Sequence, residues 1–173
     1  MDEIPRFERP KPLLSGPERE QLESWLVFYR ATLLKKCSGL SFEDLARRPV
    51  ESSTMSLLGM LRHMTFVEQV WFDARFAGND VVEYYKRPDD REVEWTELES
   101  ATLDAVVANF QRACETSDEL ARGHELDEMV KKPGVGREPV DLRWIYLHMI
   151  EEYARHCGHG DILRELIDGT TGY

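Results

Sequence analysis

Four long stretches of this sequence repeat apolar residues at intervals of three and four. They run from about residue 17 to 36, from 54 to 77, from 102 to 122 and from 142 to 168. Such spacing places apolar side chains on one face of an α-helix, whereas a half-buried strand would alternate them with polar ones. Because the alternating pattern is almost missing, the sequence predicts an all-α fold, a bundle of four long helices.

Capping residues and helix breakers mark the ends of these stretches. Ser15 is a candidate cap for the first helix, with Pro17 in its first turn. Gly78 is expected to end the second helix. Asp141 and Gly169 are expected to cap and to end the fourth. The start and stop signals therefore agree with the helices that the apolar spacing predicts.

The segments between the long helices are short or show no regular spacing of apolar residues. A short extra helix is predicted at "SFEDLARRP", with Ser41 as its cap. Residues 79–100 and 124–141 are expected to form long loops, and "PGVG" in the second allows a turn with a short hairpin. Residues 1–15 are proline-rich and are predicted to form an extended arm. Residues 16–173 are predicted to form a single four-helix-bundle domain.

The charge and the cysteines narrow the class of protein. The chain carries 33 acidic and 22 basic residues, a net charge of -11, whereas a nucleic-acid surface needs clustered lysine and arginine. Nucleic acid is therefore not an expected partner.

The N-terminus shows no signal pattern and no run of about 18 apolar residues occurs, so we expect a cytoplasmic protein without a membrane segment. Cys37, Cys114 and Cys157 form no CxxC pair and are interpreted as reduced thiols.

Polar residues interrupt the most apolar face of the fourth helix. At 100° per residue, His148, His156 and His159 all lie within about 40° of Glu152 around the helix axis. An ionised carboxylate in an apolar interior costs many kcal/mol unless a partner offsets the cost. Two interpretations remain open. The cluster is either a metal site, which the concentration of donors favours, or a structural hydrogen bond between Glu152 and His156.

The second helix offers a further ligand for a metal ion. Glu152 and His156 are four residues apart and project in the same direction, so they can bind one cation. His63 in "GMLRHMTFVE" points to the core side of the second helix and is the predicted third ligand. Three protein ligands leave a position open for water or substrate, as in catalytic sites. His148 and His159 are predicted to be alternate ligands or to lie in the outer shell. Zinc is the first choice, while nickel, manganese and iron suit the same ligands.

The two helices that carry these residues resemble a known family. "LLGMLRHMTFVEQVWF" and "LRWIYLHMIEEYARHCGHGDILREL" are similar to the DinB-like metal-binding four-helix bundles, and the resemblance covers about residues 17 to 168. Many members have His-x-x-x-His in the last helix, whereas the branch of mycothiol-dependent maleylpyruvate isomerase has Glu-x-x-x-His. Glu152 and His156 match that variant, and His63 matches the ligand of the second helix. A shifted pair of His148 and Glu152 is the second choice.

The resemblance also implies a reaction class. In that family a divalent metal binds a low-molecular-weight thiol such as mycothiol, and the thiol reacts with a small electrophilic substrate by transfer or isomerisation. Two alternatives remain open. One is a non-catalytic metal-binding or stress-related dimeric bundle, and the other is a metal-dependent hydrolase that needs no thiol. The resemblance further allows a homodimer.

The other residues with reactive or binding side chains are expected to have structural roles. His124 in "HELDE" lacks the second histidine of an HExxH motif and is placed in a surface loop. Cys157 faces away from the proposed site. Glu68 is expected to form a salt bridge across the bundle. Trp71 and Trp144 are candidates to line a pocket, although core packing is commoner for aromatic residues at helical spacing.

Overall fold

The computed structural model describes residues 3–81, 85, 93–96, 98, 102–134, 136 and 138–172. Its helices are α1 (Glu18–Cys37), α2 (Phe42–Ala46), α3 (Leu57–Glu68) with a π-helical continuation (Gln69–Phe76), α4 (Val93–Thr96), α5 (Leu103–Ala121) and α6 (Leu142–Asp168). No β-strand occurs within these ranges, so the prediction of an all-α fold is confirmed. None of these helices combines the length and the apolar character needed to cross a membrane.

Two predicted caps are present at helix N-termini. The Asp141 carboxylate accepts a hydrogen bond from the Trp144 backbone amide at 2.8 Å at the start of α6. Ser41 Oγ accepts one from the Asp44 backbone amide at 3.2 Å at the start of α2. Each bond satisfies an amide that has no partner within its own helix. The structure therefore confirms both predicted caps.

Two predicted helix starts are wrong. Pro17, and not Ser15, is the N-cap residue of α1, and no side chain caps this helix. The reason is that Gly16, at a φ of 139°, turns the chain between Ser15 and the helix. The second long helix begins later than residue 54, because Ser56 accepts a hydrogen bond from the third amide after it, at 3.0 Å. That bond fixes the first turn of α3 at Ser56.

The second long helix is not a regular α-helix throughout, as the prediction for residues 54–77 had assumed. Its last two turns are π-helical, and the Ala77 amide donates to the Phe72 carbonyl, five residues earlier, at 2.9 Å. The wider turn rotates the side chains that follow, and it leaves Trp71 and Phe72 buried. Gly78, at a φ of 71°, ends the segment as predicted.

The core forms where the long helices pack against each other. α1 packs along α6, and α3 packs against α5 and α6. Side chains that are completely buried include Leu33, Met60, Leu61, Met149 and Tyr153. Gly160 allows a close approach of α6 to α1 and α3, because a Cβ there would lie 3.3 Å from Lys36 Cδ and 3.6 Å from Met60 Sδ. This close packing brings the polar stripe of α6 next to α3.

The two long loops are described to different extents. Most of the first, residues 79–100, lies outside the described residues apart from α4 and a few single positions. In the second, the Val130 amide donates to the Val140 carbonyl at 2.9 Å, and Met129 pairs with Asp141 in an antiparallel bridge. The segment thus has two backbone contacts of the kind found in a hairpin, but its described residues form no β-strand. The "PGVG" turn lies partly outside the described residues.

The N-terminal segment is fixed to the bundle. Ile4 is completely buried, and its carbonyl accepts a hydrogen bond from the Gly39 amide at 2.8 Å. Glu3 forms an antiparallel bridge with Ser41. Residues 3–15 contain no helix and run in an irregular path, ahead of α1. The segment therefore contributes a side chain to the core without joining a helix.

Candidate metal centre

The three predicted metal ligands meet between α3 and α6. His63 comes from α3, Glu152 and His156 come from α6, and one ligand atom from each lies within 4.8 Å of the other two. The His63 and His156 ring centroids are 4.8 Å apart, and Glu152 Oε2 lies 3.5 Å from His156 Nε2. The side chains are 11% to 21% exposed. They are thus largely shielded from water but remain within reach of a small molecule.

The separation of these atoms fits a shared cation. Two ligand atoms about 2.1 Å from one cation at a tetrahedral angle lie about 3.4 Å apart, close to the 3.5 Å between the Glu152 and His156 atoms. The same distance is long for a hydrogen bond. His156 Nδ1 is also buried without a hydrogen-bond partner in the described part of the chain. The distance between Glu152 Oε2 and His156 Nε2 therefore fits a shared cation better than a direct hydrogen bond.

The protonation state of His156 suits metal binding. Burial lowers the pKa of His156 to about 4, and the neighbouring His63, His159 and Arg155 act in the same direction. At neutral pH the imidazole is therefore uncharged. A metal binds the neutral form of histidine, because the protonated form has no free lone pair.

A buried carboxylate from α4 lies next to His63, at the outer limit of hydrogen-bond distance. Glu94 on α4 is 7% exposed, and its Oε1 lies 3.5 Å from His63 Nδ1. A carboxylate behind a metal-binding histidine fixes the orientation of the ring and leaves the other nitrogen for the metal. No spacing rule connects residue 94 with residue 63, because the contact depends on how α4 packs on α3. For this reason the sequence did not reveal Glu94.

Trp95 covers the same histidine. Its ring stacks on the His63 ring with centroids 5.3 Å apart. It also lies so close to Gly59 that a Cβ there would be 2.6 Å from Trp95 Cε3. A side chain larger than hydrogen at position 59 would therefore displace the indole. Gly59 allows α4 to pack tightly on α3 and to place Glu94 and Trp95 at the site.

The two other histidines of the stripe lie at different distances from the three ligands. His148 Nε2 is 3.8 Å from Glu152 Oε1, and His148 Nδ1 is 3.7 Å from Glu151 Oε2. These three side chains form a second group whose ligand atoms lie within 4.8 Å of one another. His159 contacts His156 with ring centroids 5.5 Å apart and belongs to neither group. His148 thus remains a candidate alternate ligand, and His159 lies beside the proposed ligand His156.

Two further polar candidates lie away from this centre. His124 Nδ1 is 2.8 Å from Glu128 Oε2, in the loop that follows α5. The expected surface position of His124 agrees with its partly exposed side chain. Arg143 Nε donates to Glu18 Oε1 at 2.7 Å in an exposed pair. The partners found for these two side chains are structural.

The three cysteines of the chain are poor nucleophiles. All three are free thiols, and Cys37 and Cys157 are buried. Burial raises the pKa of Cys37 to about 12 and the pKa of Cys157 to about 12. Burial also raises the pKa of Cys114 well above its usual range. Since the thiolate is the reactive form, any thiol chemistry at neutral pH needs a thiol from outside the chain.

These pKa values predict slow alkylation of the folded protein. At pH 8 the buried thiols stay protonated, so iodoacetamide is expected to modify the native protein more than about 100-fold more slowly than the same protein in urea. Mass spectrometry of timed samples measures both rates. Rapid alkylation of any one cysteine in the native protein would contradict the burial of that thiol.

Comparison with known proteins identifies the family of the chain. The family model described as mycothiol-S-transferase matches residues 21–169. The matched range includes His63, Glu152 and His156 together with all the long helices except the first turn of α1. The comparison with curated proteins finds no match. Because the family model covers most of the chain, this protein belongs to the mycothiol-S-transferase family, a DinB-like family.

Proposed function

We propose that this protein is a metal-dependent thiol transferase that joins a low-molecular-weight thiol of the mycothiol type to a small electrophilic molecule. The observation that carries the proposal is the meeting of His63, Glu152 and His156 within 4.8 Å. Membership of the mycothiol-S-transferase family supports the choice of a thiol as the second reactant. Isomerisation through a transient thiol adduct uses the same components and is the related reaction.

The proposed reaction assigns a separate role to each residue of the site. His63, Glu152 and His156 would hold one divalent cation. A cation bound there lowers the pKa of a thiol that binds to it, so that thiolate is present at neutral pH. Glu94 would orient the His63 ring through Nδ1. Trp95, stacked on His63, would limit the access of water from that side.

Zinc is the proposed metal. Two imidazoles and one carboxylate are the ligands of several catalytic zinc sites, which keep a fourth position open. Nickel, manganese and ferrous iron accept the same donors, and their selection depends on geometry and supply. Elemental analysis of the purified protein identifies the metal directly. We expect close to one equivalent per chain.

Glu94→Gln is expected to weaken metal binding about 10- to 100-fold, because carboxylates behind a ligating histidine typically contribute this much. Glutamine keeps the size of the side chain but loses the charge that orients the ring. Competition with a chromogenic chelator measures the affinity. Glu128→Gln is the matched control, since Glu128 pairs with His124 away from the site. Unchanged affinity in Glu94→Gln would remove Glu94 from the metal centre.

The reaction itself is tested with a thiol and a coloured electrophile. Metal-loaded protein, mycothiol and chlorodinitrobenzene are mixed, and the thioether that forms when thiolate displaces chloride is followed by absorbance. The proposal expects a catalysed rate that needs both thiol and metal and that a chelator abolishes. A metal-dependent hydrolase would instead cleave an ester substrate without added thiol. A metal-binding protein without catalysis would show the metal but no rate above the uncatalysed one with a panel of electrophiles.

A further inference from the structure

A cavity lies beside the candidate metal centre, and the proposed function does not use it. Its volume is about 310 Å³, within the range of small-molecule sites. The residues that line it are Trp71, Arg75, Val130, Glu138, Val140 and Trp144. The π-helical segment, the loop after α5 and the first turn of α6 thus each contribute to its wall.

Two indole rings form the aromatic part of the wall. The centroids of Trp71 and Trp144 are 5.0 Å apart, with their planes at 52°. Trp71 is buried, but Trp144 is 41% exposed. An indole that remains partly in water on a rigid helix offers apolar area that a flat ligand can cover. The wall is therefore suited to an aromatic ring.

A guanidinium group is fixed in the same wall. The Arg75 Cζ atom lies 4.7 Å from the centroid of the Trp71 ring. On its other side is Gly134, where a Cβ would come within 2.2 Å of Arg75 Nη1. The guanidinium therefore packs closely against the Gly134 backbone as well as on the Trp71 ring. Glu138, which also lines the cavity, is exposed and can turn into the solvent.

A single imidazole separates the cavity wall from the metal centre. The His148 ring stacks on Trp144 with centroids 4.7 Å apart and meets Trp71 edge to face, also at 4.7 Å. On its far side, His148 Nε2 lies 3.8 Å from Glu152 Oε1. A molecule bound against Trp144 in this cavity would therefore lie on the other side of His148 from the proposed ligand Glu152.

We propose that the cavity binds a planar aromatic carboxylate, with its ring on the exposed part of Trp144 and its carboxylate on Arg75. The Trp144 indole supplies stacking, and the guanidinium supplies charge-assisted hydrogen bonds to the carboxylate. The identification of this molecule as the electrophilic substrate rests on the proposed function. The binding of this molecule to the cavity does not rest on the proposed function, because neither indole nor Arg75 belongs to the proposed metal ligands.

The proposal is tested by calorimetric titration with cinnamate and with cinnamyl alcohol, which share a planar ring and differ in charge. Cinnamate is expected to bind the wild-type protein at least about tenfold more tightly than the alcohol, a difference of about 1.4 kcal/mol. Metal content is measured in the same samples. Equal affinity for the two compounds, or no binding of cinnamate at millimolar concentration, would overturn the proposal.

Two variants assign the binding to this cavity. Trp144→Ala removes a partly exposed ring and is expected to weaken both compounds at least about tenfold. Arg75→Gln is expected to weaken cinnamate alone, so that the two affinities converge. Leu147→Ala, an exposed position on the same helix, and Arg122→Gln, which lines a different cavity, are the matched controls. Circular dichroism confirms that each variant is folded. Wild-type affinity in folded Trp144→Ala would place the ligand elsewhere.

The two proposals fail in different ways. Protein that holds metal through His63 and His156 but does not bind cinnamate would overturn the cavity assignment alone. Protein that binds cinnamate in a manner dependent on Trp144 but takes up no metal would overturn the proposed function alone. Chelation of the metal before titration separates the two further, because the expected affinity for cinnamate persists without it.

Discussion

Replacing His63 with alanine is expected to reduce metal affinity more than about 100-fold, since even residues behind a ligand contribute 10- to 100-fold. His63 is the only one of the three proposed ligands that does not come from α6. Without it, Glu152 and His156 remain as a pair four residues apart on one helix, which leaves a cation only two protein ligands. Thiol-transfer activity should fall with metal content. The measurements are elemental analysis after dialysis against a chelator and the rate with saturating added metal.

The controls for this prediction separate loss of the ligand from loss of the fold. His156→Ala should reproduce the effect, because it removes the second imidazole of the site. His124→Ala removes a histidine that pairs with Glu128 in a loop and should leave metal content unchanged. A His63→Ala protein that keeps stoichiometric metal would instead favour the shifted group of His148, Glu151 and Glu152 as the binding site.

The sequence predicted the two proposed ligands on α6, because their relative placement depends only on the period of one helix. Glu152 and His156 are on one stripe of α6, and a helical period is sufficient to show that they project together. His63 could be predicted for a similar reason, since it lies on the face of a long amphipathic helix that the bundle must bury. That the early and late helices bring these faces together also follows from the resemblance to a bundle family. The proposed ligand set could thus be predicted from the periodicity of two helices.

What the sequence did not predict depends on contacts between distant segments. Glu94 and Trp95 reach His63 only because Gly59 leaves room for the indole on α3. The cavity beside His148 is lined by residues of the π-helical segment, the loop after α5 and the start of α6, which are distant in the sequence. A π-helical turn has no clear sequence signature, and the apolar spacing of residues 69–76 is compatible with an ordinary helix. Tertiary packing decided these features.

A charged cluster in the core shows the same difference between prediction and structure. Glu68 was expected to form a salt bridge across the bundle, and the structure confirms this with a partner that the sequence did not name. Arg30 on α1 donates to both Glu68 carboxylate oxygens at 2.7 Å, and Tyr153 on α6 donates to Glu68 Oε1 at 2.8 Å. Arg30 also donates to Asp118 on α5 at 2.7 Å. The cluster therefore joins all four long helices.

The protonation states in this cluster follow from burial and charge. Glu68 is completely buried and Arg30 is 6% exposed. Burial acts to lower the pKa of Arg30, but the charge and hydrogen bond of Glu68 together with Cys114 and Tyr153 outweigh it, so the pKa of Arg30 lies well above its usual range and the guanidinium stays charged. Burial also raises the pKa of Tyr153 well above its usual range, so its hydroxyl remains a donor. Each charge in the core thus depends on its partner.

Arg30→Met is accordingly expected to destabilise the protein by about 3–5 kcal/mol, because it leaves the Glu68 carboxylate buried without its counter-charge. The double variant Arg30→Met with Glu68→Leu should recover most of this loss, since two apolar side chains of similar volume avoid the cost of burying either charge. Urea denaturation followed by circular dichroism gives the free energy of unfolding. Arg143→Met, which breaks the exposed pair with Glu18, is the control and should change stability little. A double variant as unstable as Arg30→Met would show that the cost lies in lost packing or in the Tyr153 hydroxyl left without its acceptor, and not in the unpaired carboxylate.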